Sequence, residues 1–423
     1  KLFETGVVFG IKGDVIDSRE LFLGVAPATS APAAQQKAEE IARTYHVETF
    51  VHPELVSQPH GRLVARDENG VEVRNEGILW FAPKHADNAI TVKDVLVGTG
   101  GSRVDGGRRE TRRYFGWVYV TLGWDGALTV ANAVPEDHLL AGLVPAEMFA
   151  DAPFQALKAQ AVAARTDLLA KIGTRHFAEP YLVCASEHCQ VYAGVGRETP
   201  RTTQAVRATR GEVLLRGKQG GLVDARYSAS CGGFGEHNEN IWPIPADPAL
   251  RGRLDVPDRD RSLAKYAQGL TDKSVAAFLA DPRRQTFCGR TRYGAGRQLW
   301  QHTITQAELD RRVHASYPGV GRVDRVVPAL RGVSGRIKEL DVVGAKQTVR
   351  VRGELTIRRL LGGLKSSLFV VRRTGDSLVL DGAGFGHGVG MCQTGAIGMA
   401  EAKYDYKSIL THYYLGSRLQ GLY

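Results

Sequence analysis

The stretch DAPFQALKAQAVAARTDLLAKIG, residues 151–173, is the clearest helix in the chain and anchors the reading of the fold. Asp151 stands where a cap is expected, Pro153 falls in the first turn, and Gly173 marks the stop. Ala156, Leu157, Ala161, Ala164 and Leu168 give the helix a face of small side chains that lets a neighbouring backbone come close. Just upstream, YFGWVYVTL (114–122) and ALTVANAV (127–134) read as strands, and PEDHLLAGLV (135–144) reads as a short helix. Downstream, VLLRGKQGGLVDARYSAS (213–230) has the pattern of a hairpin. Residues 245–330 are polar and rich in Arg and Pro, and the remainder alternates strands with glycine loops.

Residues 1–95 read as a separate small α+β module. GVVFGI (6–11) and ELFLGVA (20–26) are strand-like. SAPAAQQKAEEIARTYH (30–46) is helical, with Ser30 as its N-cap, Pro32 in its first turn, and Ala33, Ala38, Ile41 and Ala42 on one stripe. Asn69-Gly70 centres a hairpin between alternating segments. A Gly/Arg-rich stretch, 96–112, follows as a linker, and 113–423 forms the main domain with 245–330 as a polar insert. The expected class is α+β, with a β-rich core and the long alanine-rich helix.

No apolar run approaches the roughly 20 residues that span a bilayer. The chain opens on Lys1 rather than Met, which fits the loss of a signal peptide or a truncated start. A formal net charge of +10 favours polyanionic surroundings, but the basic residues are scattered apart from GGRRETRR (106–113). Five cysteines are too few for a disulfide scaffold in 423 residues, and an odd number cannot all pair.

Four residues of HFAEPYLVCASEHCQVYAG (176–194) have side chains that ligate metals: His176, Cys184, His188 and Cys189. The spacing matches no zinc finger or knuckle, so it gives no support to nucleic-acid binding. Three explanations stay open on spacing alone: a zinc site, a Cys184–Cys189 disulfide, and unrelated buried thiols. The disulfide would close too small a loop to stabilise much.

Three longer stretches resemble the SpoIID/LytB family of bacterial cell-wall proteins: LVPAEMFADAPFQALKAQAVAART (143–166), YSASCGGFGEHNENIWP (227–243) and GFGHGVGMCQTGAIGMAEAKYDYKSILTHYYLGSRL (384–419). CQVYAG, RGVSGRIKEL and IRRLLGGLKSSLFVV fall in the family's order between them. The likeness runs from about residue 110 to the C-terminus. It implies one of two activities in the cell envelope, outside the cytoplasm: lytic transglycosylase on glycan strands lacking stem peptides, or non-catalytic enhancement of a wall amidase. It also implies that Glu147, in PAEMFA, is the catalytic acid, although Phe149 stands where the family usually has proline. It raises the weight of a structural zinc held by His176, Cys184, His188 and Cys189. Residues 1–95 then read as a scaffold or wall-binding module.

A lytic transglycosylase needs one acid/base where ordinary glycosidases use two carboxylates, because the sugar's own C6 hydroxyl attacks the anomeric carbon. Glu147 suits this if an apolar pocket keeps it protonated, with Met148, Phe149 and Tyr227 as candidate walls. The N-terminus of the 151–173 helix would oppose that by favouring the anion. Tyr227, Ser230, His237, His387 and Gln393 are expected along the sugar groove. His387 is the most telling of these, since the glycines around it in GHGVG leave it little packing of its own. Cys231 and Cys392 occupy the two glycine loops and could form a disulfide if the loops meet, especially in an oxidising envelope, with Cys288 as a rival partner.

Overall fold

The computed structural model describes residues 1–11, 14–45, 49–55, 57–85, 87–97, 108–186, 188–217, 220–242, 244–257, 259, 261–281 and 285–423. Most of the expected 96–112 linker therefore lies outside the described residues, as does the Lys218-Gln219 turn of the expected hairpin. Small antiparallel sheets and helices alternate along the chain, an α+β fold. The chain forms two compact units, residues 1–224 with 419–423 and residues 225–418. No helix among the described residues is long and apolar enough to cross a membrane.

The first unit opens with paired strands, Leu2–Thr5 against Glu20–Leu23 and Val8–Ile11 against Asp14–Asp17. Helix α1 (Ala31–Tyr45) follows, and the Ala33 N–H donates to Ser30 Oγ at 3.4 Å. The Asn69-Gly70 hairpin forms as Arg62–Arg66 against Glu72–Glu76. Gly70 adopts φ +85°, and Asp67 Oδ1 accepts the N–H groups of Asn69 and Val71. Ile78–Phe81 joins Trp117–Leu122 and Leu128–Ala133 in one sheet.

The core of this unit is built from α2 (Glu136–Glu147), α3 (Phe154–Lys171), α4 (Pro200–Arg207) and the strand Glu212–Arg216. Apart from the half-buried Lys158, helix α3 is buried on every side from Ala156 to Leu168, including Gln160, Arg165, Thr166 and Asp167. A helix enclosed all round has no polar face to lose, so its polar residues must find partners inside. Arg165 bonds Glu136 and the carbonyls of Thr209 and Glu212, while Thr166 Oγ accepts the Leu214 N–H at 3.0 Å. The start of α3 differs from expectation. Pro153, not Asp151, is the N-cap and no side chain caps it, because the Ala152 N–H closes a turn onto Phe149 O first. The stop is as read: Gly173, at φ +73°, lies just past the last turn. Helix α2 also runs further than expected, continuing through Pro145 to Glu147.

The second unit has two three-stranded sheets. Leu299–Thr305 and Phe369–Thr374 flank Ser377–Ala383, and Val323–Arg331 and Thr348–Arg352 flank Ile337–Gly344. Their shared core includes Ile304, Val323, Ile337, Leu340, Phe369 and Leu380. Around them are α5 (Asp272–Ala280), α6 (Phe287–Arg290), α7 (Gln306–Ser316), α8 (Glu354–Leu360), α9 (Gln393–Glu401) and α10 (Tyr406–Tyr413).

The two glycine loops do meet. Tyr227–Ser228 pairs in parallel with Met391–Cys392, and Ser230 bridges Phe385. They are held by two buried charged groups. Arg336 donates to the carbonyls of Phe234, Cys231 and Gly386 and to Ser334 Oγ. Glu236 accepts from the N–H groups of His237, Val333 and Ser334 and from Ser334 Oγ at 2.6 Å. A Cβ on Gly388, at φ +78°, would lie 2.4 Å from Arg336 Cζ. Gly388→Ala should therefore destabilise the protein by about 2 kcal/mol or more, through both strain and overpacking. Gly363→Ala, at φ +73° with nothing within 4 Å, should cost only the strain of about 1 kcal/mol. Equal shifts of the two variants in denaturant melts would disprove the packing account.

Candidate functional site

Chemistry-bearing residues collect at three places, one around Glu147 and the Cys/His loop in the first unit, and two in the second. Glu147 is the last residue of α2 and is half-buried, with Oε1 accepting the Val191 N–H at 2.8 Å. It thus stands at the partial negative end of its own helix. Met148 beside it is buried, whereas Phe149 is exposed. Glu198, in the same unit, carries no motif in the sequence. Burial raises its carboxyl above the usual range, with His138 opposing.

His176, Cys184, His188 and Cys189 come together, and their ligand atoms all lie within 4.8 Å of one another. His176 Nε2 is 3.2 Å from Cys189 Sγ, and His188 Nδ1 is 3.7 Å from both sulfurs. A tetrahedral ion with bonds of about 2.0 Å to nitrogen and 2.3 Å to sulfur spaces its ligands about 3.5 Å apart. The four side chains fit that requirement and could hold a metal ion. Cys184 is pushed well down by its hydrogen bond with Cys189, with both histidines adding to the effect, so this thiol readily supplies a thiolate ligand.

The loop is fixed from beneath by the end of α3. Lys171 Nζ donates to Cys189 O at 2.6 Å and pairs with the buried Asp167. Gln190 Nε2 bonds Asp167 and the Ala164 carbonyl. The next residue is Val191, whose N–H holds Glu147. One continuous set of bonds therefore runs from α3 through the Cys/His loop to the Glu147 carboxylate.

In the second unit, the structure places the expected groove residues in different settings. Tyr227 and His237 are half-buried, whereas Ser230 is fully enclosed and Gln393 is buried at the start of α9. Ser230 is turned inward by its backbone pairing with Phe385. His237 Nδ1 accepts the Gly252 N–H at 2.8 Å, and burial, then Arg251, lowers its pKa.

His387 does have packing of its own, contrary to the expectation from its glycine neighbours. Its ring meets Trp242 edge-on at 4.9 Å, and Arg226 lies over Trp242 at 3.9 Å. Its Nδ1 accepts the Val389 N–H at 3.0 Å. Burial pushes its pKa down to about 3, and Arg226, Arg336 and Arg358 push the same way. The imidazole is therefore neutral near pH 7 and acts there as a hydrogen-bonding group.

The third grouping joins Cys231, Cys288 and Cys392 with Asp255, all buried. The sequence allows disulfides among these three cysteines, but all five cysteines of the chain are unbridged. Asp255 had no sequence signal, since it lies in a polar stretch rich in aspartate and arginine.

Two family models match the chain, one within each unit. The model described as stage II sporulation protein, SpoIID, matches residues 124–215, and a domain of unknown function, DUF8618, matches 236–390. The amidase enhancer of Bacillus subtilis is 31% identical over 299 residues, covering 66% of this chain and 40% of that protein. Stage II sporulation protein D of Bacillus subtilis is 27% identical over 300 residues, 68% of this chain and 74% of that one. An uncharacterised protein of Brachyspira hyodysenteriae is 27% identical over 318 residues, 72% and 71% of the two chains.

The His387 environment makes a pH prediction. Between about 3 and the ordinary 6.5, the unfolded chain binds a proton that the folded protein refuses, so stability rises with pH across that window and is level above it. His237 acts in the same direction. Denaturant midpoints measured across the window should fall steadily on the acid side, and His387→Asn should make that slope shallower. An unchanged slope in the variant would show that His387 is not buried neutral.

Proposed function

The chain belongs to the SpoIID/LytB family, and from that premise we propose that it is a peptidoglycan lytic transglycosylase with Glu147 as its single acid/base. The observation that carries the reading is the Glu147 carboxyl itself: half-buried at the end of α2, and held at one oxygen by the Val191 N–H. In the first step the protonated Glu147 gives its proton to the bridging oxygen as the bond from muramic C1 breaks. The C6 hydroxyl of the same muramic residue closes onto C1, and its proton passes to the Glu147 carboxylate. The acid is restored, no water is consumed, and the product carries a 1,6-anhydro end.

Residues 113–423 form the wall-acting region in this reading, with residues 1–95 as an accessory module, in an exported protein of the cell envelope. In this reading Tyr227, His237 and His387, all of the 225–418 unit, would hydrogen-bond sugar. His176, Cys184, His188 and Cys189 would hold zinc, which supplies no chemistry here because four protein ligands leave no open position. Their work is positioning. Cys189, Gln190 and Val191 are consecutive, so anything that loosens the loop loosens the N–H that holds Glu147.

Purified protein incubated with glycan strands freed of stem peptides should release fragments lighter by about 18 Da, one water, than hydrolytic products, as read by mass spectrometry. Glu147→Gln should lower that release about 10²–10⁴-fold, the usual worth of a general acid/base. Glu198→Gln should leave the products unchanged. If Glu198→Gln instead abolishes release, the acid has been misassigned. Cys189→Ser should lose one equivalent of bound zinc and reduce the turnover rate more than glycan affinity.

The resemblance to the amidase enhancer of Bacillus subtilis favours a second reading, a non-catalytic protein that binds the wall and stimulates an amidase. Absence of any released fragment, together with faster amidase action when either wild type or Glu147→Gln is added, would establish that reading over the first.

A further inference from the structure

We propose that Cys231, Cys288, Cys392 and Asp255 form a second metal site in the 225–418 unit, taking a thiophilic divalent cation of the zinc class. The four residues come from separate places in the sequence: the loop after Tyr227–Ser228, a bend just after Leu254, helix α6 and the N-cap of α9. None is more than 3% exposed, and their ligand atoms all lie within 4.8 Å of one another. Cys231 Sγ is 3.9 Å from Cys288 Sγ, close to the edge of about 3.8 Å between two sulfurs on one tetrahedral ion.

The surroundings are those of ligands already oriented. Cys392 Sγ accepts the N–H groups of Cys231 at 3.1 Å and Gly395 at 3.2 Å, an environment that suits a thiolate. Asp255 is oriented by the Cys288 N–H at 3.0 Å and by Tyr413 OH at 2.8 Å, the outer-shell support that ligating carboxylates usually have. His412 lies beside it with Nε2 3.7 Å from Asp255 Oδ1, buried and without a hydrogen-bond partner among the described residues. A small cavity of about 20 Å³, bounded by Cys231, Asp255, Arg253 and His412, adjoins the set.

Two simpler accounts leave something over. A disulfide uses two of the three sulfurs and gives neither the third thiol nor the buried carboxylate a purpose. Plain core thiols give no reason for three sulfurs to converge on a carboxylate withdrawn from water, whose nearest charge partner, His412, stands 3.7 Å off. One shared cation accounts for all four. Binding would proceed as M²⁺ plus three thiols and one carboxylate giving the tetracoordinate complex and three released protons, with no change of oxidation state. The set then carries two negative charges, and Arg336, which donates to the Cys231 carbonyl at 3.1 Å, stands next to it. The ion would staple the glycine loop, α6 and α9 together.

The inference is independent of the role given to Glu147 and is tested on the full chain. The Cys184→Ser/Cys189→Ser double variant removes the first cluster, so any metal it retains belongs elsewhere. Dialysed against excess Zn²⁺ and then against buffer, it should keep one equivalent by elemental mass spectrometry. With Co²⁺ in place of Zn²⁺ it should show a sulfur-to-cobalt charge-transfer band. Adding Cys288→Ser should abolish both. If that variant does not fold, the wild type still decides the matter. Alkylation of the unfolded wild type without reductant should label all five cysteines, and the wild type should hold two equivalents of zinc in all, one per cluster. A double variant that binds nothing, or a mass about 2 Da low with two of Cys231, Cys288 and Cys392 protected, would overturn the proposal, the second outcome in favour of a disulfide.

Discussion

A guanidinium and a carboxylate, both withdrawn from water, organise the 225–418 unit. Arg336 and Glu236 are joined through Ser334, whose hydroxyl donates to the carboxylate and accepts from the guanidinium. Removing such charges from water costs several kcal/mol per ion unless every donor and acceptor is met. The unit meets most of them with backbone, three carbonyls for Arg336 and three N–H groups for Glu236. Backbone can supply those partners only if the chain comes very close, and this is where glycine becomes necessary. Gly388 lies against the guanidinium, and Gly332 lies where a Cβ would be 2.3 Å from the Glu236 carboxylate. The glycines of GFGHGVG and RGVSGR thus serve the packing of two ions, and the loops that carry His387, Cys231 and Cys392 are positioned as a result.

In the first unit the equivalent constraint is the enclosure of α3. Its small side chains let α2, α4 and the Glu212–Arg216 strand crowd in, and its polar residues become internal struts. Asp167 matters most for function, because it fixes both Lys171 and Gln190 and through them the segment from Cys189 to Val191. The Cys/His loop and the carboxylate expected to act on glycan are therefore coupled by a few strong hydrogen bonds over a short stretch of chain. A metal held by that loop would stiffen the same path from the opposite end.

Local chemistry carries most of what is legible in the sequence. The Asn69-Gly70 hairpin forms because Asp67 and a left-handed glycine close the turn without outside help. The alanine-rich helix between Pro153 and Gly173 forms on propensity and its glycine stop. The Cys/His loop comes together because its ligands lie close in the chain. Where long-range packing decides, the sequence was a poorer guide. The helix read over 135–144 runs on to Glu147, since a proline near a helix C-terminus loses only one internal bond and surrounding core contacts carry the helix past Pro145. His387 was expected to stand clear between its glycines, yet Trp242, which lies 145 positions earlier, covers it.

The sequence by itself determined the α+β class, the likeness to SpoIID/LytB proteins, the residues of the Cys/His loop and the place of Glu147 beside the alanine-rich helix. Each of these is written in local periodicity, turn chemistry or short motifs. Tertiary structure alone decided that Asp255 joins three distant cysteines, that His387 is neutral, and that Ser230 faces inward. Those outcomes depend on which far-separated backbones approach one another and on how much water they exclude, and desolvation is a property of the assembled unit rather than of any stretch of residues.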